Sequence, residues 1–168
     1  MGRDNERTLV LEVATISEVD LTPVAPATEG DLIRLGHFAL DAEKARGEWE
    51  AAFVLVDDAR LQQFHIEYMG IVEPTDVMTF ERDPDDGEPG HPVHGGDIII
   101  SVDRVVEQAM INGNTPGREL LFVAVHGLLH LTGWVDHSAD ERTAMLARGE
   151  DLLTRFEALK TVASKAPG

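Results

Sequence analysis

The 168-residue chain contains no cysteine. Disulfides, thiolate metal ligands and a cysteine nucleophile are therefore excluded. Long hydrophobic runs are missing as well. Stretches such as Ile98 to Ile100 and Leu120 to Val125 fall far short of the ~20 residues needed to cross a bilayer. Basic residues are scarce: 14 Lys and Arg stand against 31 Asp and Glu, for a formal charge of −17. Strong non-specific nucleic-acid binding, which relies on Lys and Arg displacing counterions, does not fit that balance. A solubilising acidic surface does, and it leaves room for a local basic groove. The first residues, Met-Gly-Arg-Asp-Asn-Glu-Arg, have no apolar core behind their charges and do not read as a signal peptide. The expectation is a soluble cytoplasmic protein.

What is present is enough apolar residue, 43%, to build a core. Thr8 to Ala14 has strand character, and Asp31 to Ala45 shows helical spacing through Leu32, Leu35, Ala39 and Ala42. Ala52 to Val56 reads as a short buried strand. Asp57 and Asp58 then cap a helix that carries Leu61, Phe64, His65 and Tyr68 and ends at Gly70. Pro74 to Phe80 starts as a turn and becomes a strand. Glu81 to Gly96, acidic and rich in Pro and Gly, reads as an exposed loop. A buried strand covers Gly96 to Ser101, and a helix runs from about Asp103 to Ile111. Thr115-Pro116 supplies an N-cap and first-turn proline for the next helix. Ser138-Ala139-Asp140-Glu141 is a capping box for a last helix reaching about Leu159, with a frayed tail over about 160–168. No repeat or linker divides the chain. The expected fold is one α+β domain over 1–168, with about four strands in one mixed sheet, about five helices, and a metal site on a central helix.

The chemistry concentrates in His126-Gly127-Leu128-Leu129-His130-Leu131-Thr132-Gly133-Trp134-Val135-Asp136-His137. Histidines four apart on a helix stand one turn above each other and can reach one ion. Gly133 suits a left-handed helix end that turns the chain back, bringing Asp136 and His137 toward the same point. Three protein ligands with a fourth position open make a catalytic zinc site. Gly127 occupies the position where H-E-x-x-H peptidases carry a glutamate base, so a peptidase mechanism is poorly supported.

Three blocks in order carry a resemblance to a known family. Pro74-Thr75-Asp76-Val77-Met78-Thr79-Phe80, Gly96-Asp97-Ile98-Ile99-Ile100-Ser101 and the histidine segment are similar to those of the YbeY family, bacterial metal-dependent single-strand endoribonucleases also called ribosomal RNA maturation factors. The resemblance implies one zinc ion per chain held by His126, His130 and a third histidine. It also implies single-stranded RNA as substrate, small-subunit ribosomal RNA in particular, and the small ribosomal subunit as partner. Two departures stand out. The family's third histidine lies ten residues after the first, where this chain has Asp136, with His137 one position later. Imidazole and carboxylate both bind zinc. His137 is the expected ligand, on the reasoning that a loop after Gly133 absorbs the extra Val135, and Asp136 is the alternative. The family's usual arginine before Gly70 is replaced by Met69, so any phosphate-binding cation must come from elsewhere.

By resemblance His65 and Asp76 lie near the site, although His65 reads equally well as a helix-face residue. Asp97 reads as a strand-end hydrogen-bond acceptor, His91 and His94 as solvated loop residues, and Trp134 as packing beside the metal. Arg60, Arg82, Arg104 and Arg118 are candidate phosphate contacts whose common fate is surface ion pairing. No general base is assigned. Two competing readings are a metallohydrolase of a peptide or small molecule, and a non-catalytic ribosome-assembly factor with a structural metal.

Overall fold

The computed structural model describes residues 8–69 and 77–165. β1 (Leu9–Ser17) alternates half-buried and exposed residues, as a strand covered on one face must. After a short 3-10 turn at Thr22–Val24, α1 (Glu29–Ala42) opens on a reciprocal cap. The Thr28 hydroxyl accepts from the Asp31 N–H at 3.2 Å, and the Asp31 carboxylate accepts from the Thr28 N–H at 2.9 Å. Then come β2 (Gly47–Val56), α2 (Asp58–Met69), β3 (Val77–Glu81), β4 (Val93–Ser101), α3 (Val102–Asn112), α4 (Pro116–Leu131) and α5 (Ala139–Lys165). The sequence-based order of four strands and five helices is reproduced.

The strands line up as β1-β2-β4-β3. β1 pairs parallel with β2, β2 parallel with β4, and β3 antiparallel with β4. On one face Ala51, Phe53, Leu55, Ile98 and Ile100 join the apolar sides of α1, α4 and α5 in the main core. On the other, Val56, Met78 and Ile99 pack with Leu61 of α2 in a smaller cluster. α4 touches α1, α3, α5, β3 and β4 and is the central helix of the molecule.

Several boundaries differ from the sequence reading; β2 starts at Gly47 rather than Ala52, and α1 ends at Ala42 rather than Ala45. β4 starts at Val93, inside the expected loop. Its Gly95 is not a turn residue: a Cβ there would run into the Glu50 carbonyl oxygen of the neighbouring strand. His94 consequently lies in the sheet, register partner of Trp49, with ring centroids 5.4 Å apart, and is not a solvated loop residue. α5 continues past Leu159 to Lys165, so the expected tail is largely helix, and 166–168 lie outside the described residues. β1 continues to Ser17, because its second half pairs with Ala52 to Leu55.

Candidate metal centre

α4 is set by its two ends. At the start, the Thr115 hydroxyl accepts from the Arg118 N–H at 3.2 Å and Pro116 occupies the first turn. At the end, the Gly133 N–H donates to the His130 carbonyl at 3.1 Å and the Trp134 N–H to the Leu129 carbonyl at 3.0 Å. With Gly133 at φ 104°, this pair of reversed bonds is the Schellman stop expected from the sequence. Between the ends, Glu119, Phe122, Val123, His126 and His130 fall at i, i+3, i+4, i+7 and i+11, one face of the helix, and all border an open cleft of about 840 Å³.

Gly127 faces the other way. A Cβ at this position would sit 2.6 Å from Ile98 Cγ2, so glycine is what lets α4 lie close against β4. The site following the first histidine thus points into the sheet, where no side chain could reach a reacting group.

Between Gly133 and α5 the chain has no regular secondary structure, and burial alternates along it as far as His137. Trp134 and Asp136 are half-buried, whereas Val135 and His137 are exposed. Asp136 Oδ2 accordingly lies 3.6 Å from His126 Nε2 and 3.5 Å from His130 Nε2. Ligand atoms of the three residues all fall within 4.8 Å of one another, the one such group of His and acidic residues among those described. His137, the expected third ligand, borders the same cleft but is not in this group. Two imidazole nitrogens and a carboxylate oxygen are a zinc-type donor set. Bonds of about 2.0–2.2 Å in tetrahedral geometry put ligand atoms roughly 3.3–3.6 Å apart, which the two measured separations match.

Orientation is fixed from behind. His130 Nδ1 is 3.1 Å from the Trp134 carbonyl oxygen; as donor it leaves the Nε2 lone pair facing the cleft. Trp134 is in turn tied down by its indole N–H, which donates to Glu43 at the end of α1. Glu43 also accepts from Arg148 of α5 at 2.7 and 2.9 Å. The sequence reading had Trp134 as packing beside the metal. It packs against the core and also anchors the loop through Glu43, a residue sequence reasoning passed over. Glu119 was passed over too: it is only 3% exposed at the cleft and accepts from Asn112 Nδ2 at 3.3 Å and Asn114 Nδ2 at 3.0 Å. Its place seven residues before His126 on an amphipathic helix was the available signal.

The remaining candidates separate. His65, 8% exposed on α2, borders the cleft. Asp76 lies outside the described residues, and Met69 is described only as the end of α2. Asp97 is exposed in the middle of β4, opposite Phe80 and Ala52, not at a strand end. Arg60, Arg82, Arg104 and Arg118 pair with Glu18, Glu50, Asp58 and Glu150. None of them borders the cleft, whose described lining contains no Lys or Arg. A second groove of about 880 Å³, along β1, β2 and the start of the β3–β4 connection, is lined by Glu12, Glu50 and Asp97 and holds none of the three clustered residues.

The family model for endoribonuclease YbeY matches residues 24–157. The endoribonuclease YbeY of Halalkalibacterium halodurans is 39% identical over 150 residues, 84% of this chain and 94% of the relative. That of Moorella thermoacetica is 41% identical over 137 residues, 78% of this chain and 88% of the relative. The solution structure of TM1509 from Thermotoga maritima superimposes with a TM-score of 0.61 at 20% identity, covering 94% of this chain and 97% of that one, a likeness of fold. The chain belongs to the YbeY family of endoribonucleases. Its His/His/Asp group is consistent with a metal-dependent hydrolase of RNA phosphodiesters.

Proposed function

We propose that the chain is a zinc-dependent, single-strand-specific endoribonuclease of ribosomal RNA maturation and quality control. In this reading it acts in the cytoplasm as one hydrolase domain, with the small ribosomal subunit as the partner that presents its RNA. The observation that carries the reading is the convergence of His126, His130 and Asp136 in an open cleft of a YbeY-family chain. Zinc is favoured by the nitrogen-rich donor set, and His126, His130 and Asp136 would hold it, with His137 at the rim. When bound, such an ion supplies Lewis acidity toward a phosphate oxygen and lowers the pKa of water.

The chain's own residues shape the rest. Trp134 holds the His130 ring in one orientation through its carbonyl. Phe122, Val123, Val135 and Leu146 give the cleft apolar walls on which an unstacked base can lie. A single strand can splay a phosphate into such a cleft, whereas a duplex presents a rigid A-form surface. With no Lys or Arg in the described lining and a net charge of −17, naked RNA is held weakly, which favours a substrate positioned by the ribosome. No helix of the described residues is long and apolar enough to cross a membrane, in keeping with the proposed location.

The test joins elemental analysis to cleavage. Purified protein should carry close to one zinc per chain and cut single-stranded RNA and isolated small subunits. Chelator and His126→Ala should each abolish cutting. Cleavage that persists through both treatments, or metal-loaded protein inert on both substrates, would overturn the reading.

A further inference from the structure

Arg142 stands apart from every other arginine among the described residues. Each of the others forms an ion pair with a carboxylate, Arg148 with Glu43 and Arg155 with Asp151 for example. Arg142 forms none, in a chain where acidic residues outnumber basic ones by 31 to 14. The reason is local. Its helical neighbours at i−4, i−3, i+3 and i+4 are Ser138, Ala139, Met145 and Leu146, none of them acidic. Glu141, the adjacent carboxylate, is committed to the cap, accepting from the Ser138 N–H at 2.9 Å.

Its position matters as much as its freedom. Arg142 is in the first turns of α5, six residues after Asp136. Leu146, one turn on, borders the cleft, and residues four apart share a helix face. Glu141 and Ala144 line a separate depression behind the Gly133 turn. Arg142 is therefore exposed on the cleft side of α5, above a lining whose described residues include no Lys or Arg.

We infer that Arg142 is an RNA-backbone contact of this enzyme: it pairs with a phosphate flanking the scissile one where the strand passes the rim between the Val135–His137 segment and α5. A guanidinium already held by a carboxylate would have to exchange one anion for another, whereas Arg142 is available at no such cost. It is a binding residue and contributes affinity rather than chemistry. The inference rests on the RNA reading above.

The experiment measures binding of a labelled, cleavage-resistant single-stranded 2′-O-methyl oligonucleotide to the zinc-loaded protein over a range of salt. It compares wild type, Arg142→Gln, Arg142→Lys and Arg155→Gln. Removing one phosphate contact should lower the slope of log K against log salt by about 0.7 and weaken binding on the order of tenfold at low salt. Arg142→Lys should keep the slope, and Arg155→Gln should resemble wild type. On cleavable RNA, Arg142→Gln should raise KM with kcat unchanged, at unaltered zinc content. An unchanged slope in Arg142→Gln, an equal fall in Arg155→Gln, or lost zinc would overturn the assignment of Arg142 alone. Wild type that neither binds nor cleaves RNA would overturn the RNA reading, and this inference with it.

Discussion

The side chains of Trp134 and Glu43 meet across 91 residues of sequence, indole N–H to carboxylate, and that bond holds the carbonyl on which the His130 ring rests. Loss of Glu43 should therefore reach the metal although Glu43 touches no ligand. Glu43→Ala leaves the indole without its acceptor and Arg148 with Asp151 alone, a destabilisation of about 2 kcal/mol for charge-assisted bonds that are partly buried. Zinc affinity should fall by about 10–100-fold, as for other groups that orient a ligand. Denaturant unfolding and a competitive chelator titration check the two effects. Unchanged zinc affinity in a destabilised variant would separate the loop anchor from the site.

Asp136 and His137 are adjacent but face different ways, and their variants should differ. Asp136→Ala should cost far more zinc affinity than His137→Ala, because the carboxylate is already 3.5–3.6 Å from both imidazoles. The same titration decides it. The opposite ranking would mean that the segment rearranges on binding zinc to bring His137 in.

Gly127→Ala sets two effects against each other. Alanine gains about 1 kcal/mol of helix propensity over glycine, while its Cβ would stand 2.6 Å from Ile98 Cγ2. Overpacking of that kind costs about 1–3 kcal/mol, so net destabilisation is expected. Ile98→Ala should soften the penalty when the two are combined, and thermal unfolding of the double-mutant cycle measures the coupling.

Asp31 makes the fold sensitive to acid. Burial pushes its carboxyl up, but bonds from Lys160, Arg34 and the Thr28 N–H outweigh this and hold it below the ordinary aspartate value. A carboxyl depressed in the folded state contributes stability above its unfolded pKa and loses it as pH falls through the folded one, below about 4. Asp31→Asn should flatten that part of the stability curve and, by weakening the α1 cap, cost about 1 kcal/mol at neutral pH. Urea titrations across the acid range would show it. A curve parallel to wild type would remove Asp31 from the account.

The sequence by itself determined what closes over a few residues. The Asp57 and Thr115 caps, the Ser138–Glu141 box, the Gly133 stop and the stacked pair His126 and His130 all depend on bonds or spacings within one or two helical turns. Neighbours in sequence are neighbours in space there, and the order of strands and helices followed. Tertiary structure decided the rest. Whether Gly95 was turn or strand depended on Glu50, a strand away, and with it the place of His94. Whether Asp136 or His137 turned inward depended on the phase of the irregular segment pinned at Trp134 by Glu43. Burial alternates residue by residue from Trp134 to His137, so a shift of one exchanges inside for outside. The pin that sets the phase comes from a helix 91 residues away, and no local pattern could reveal it.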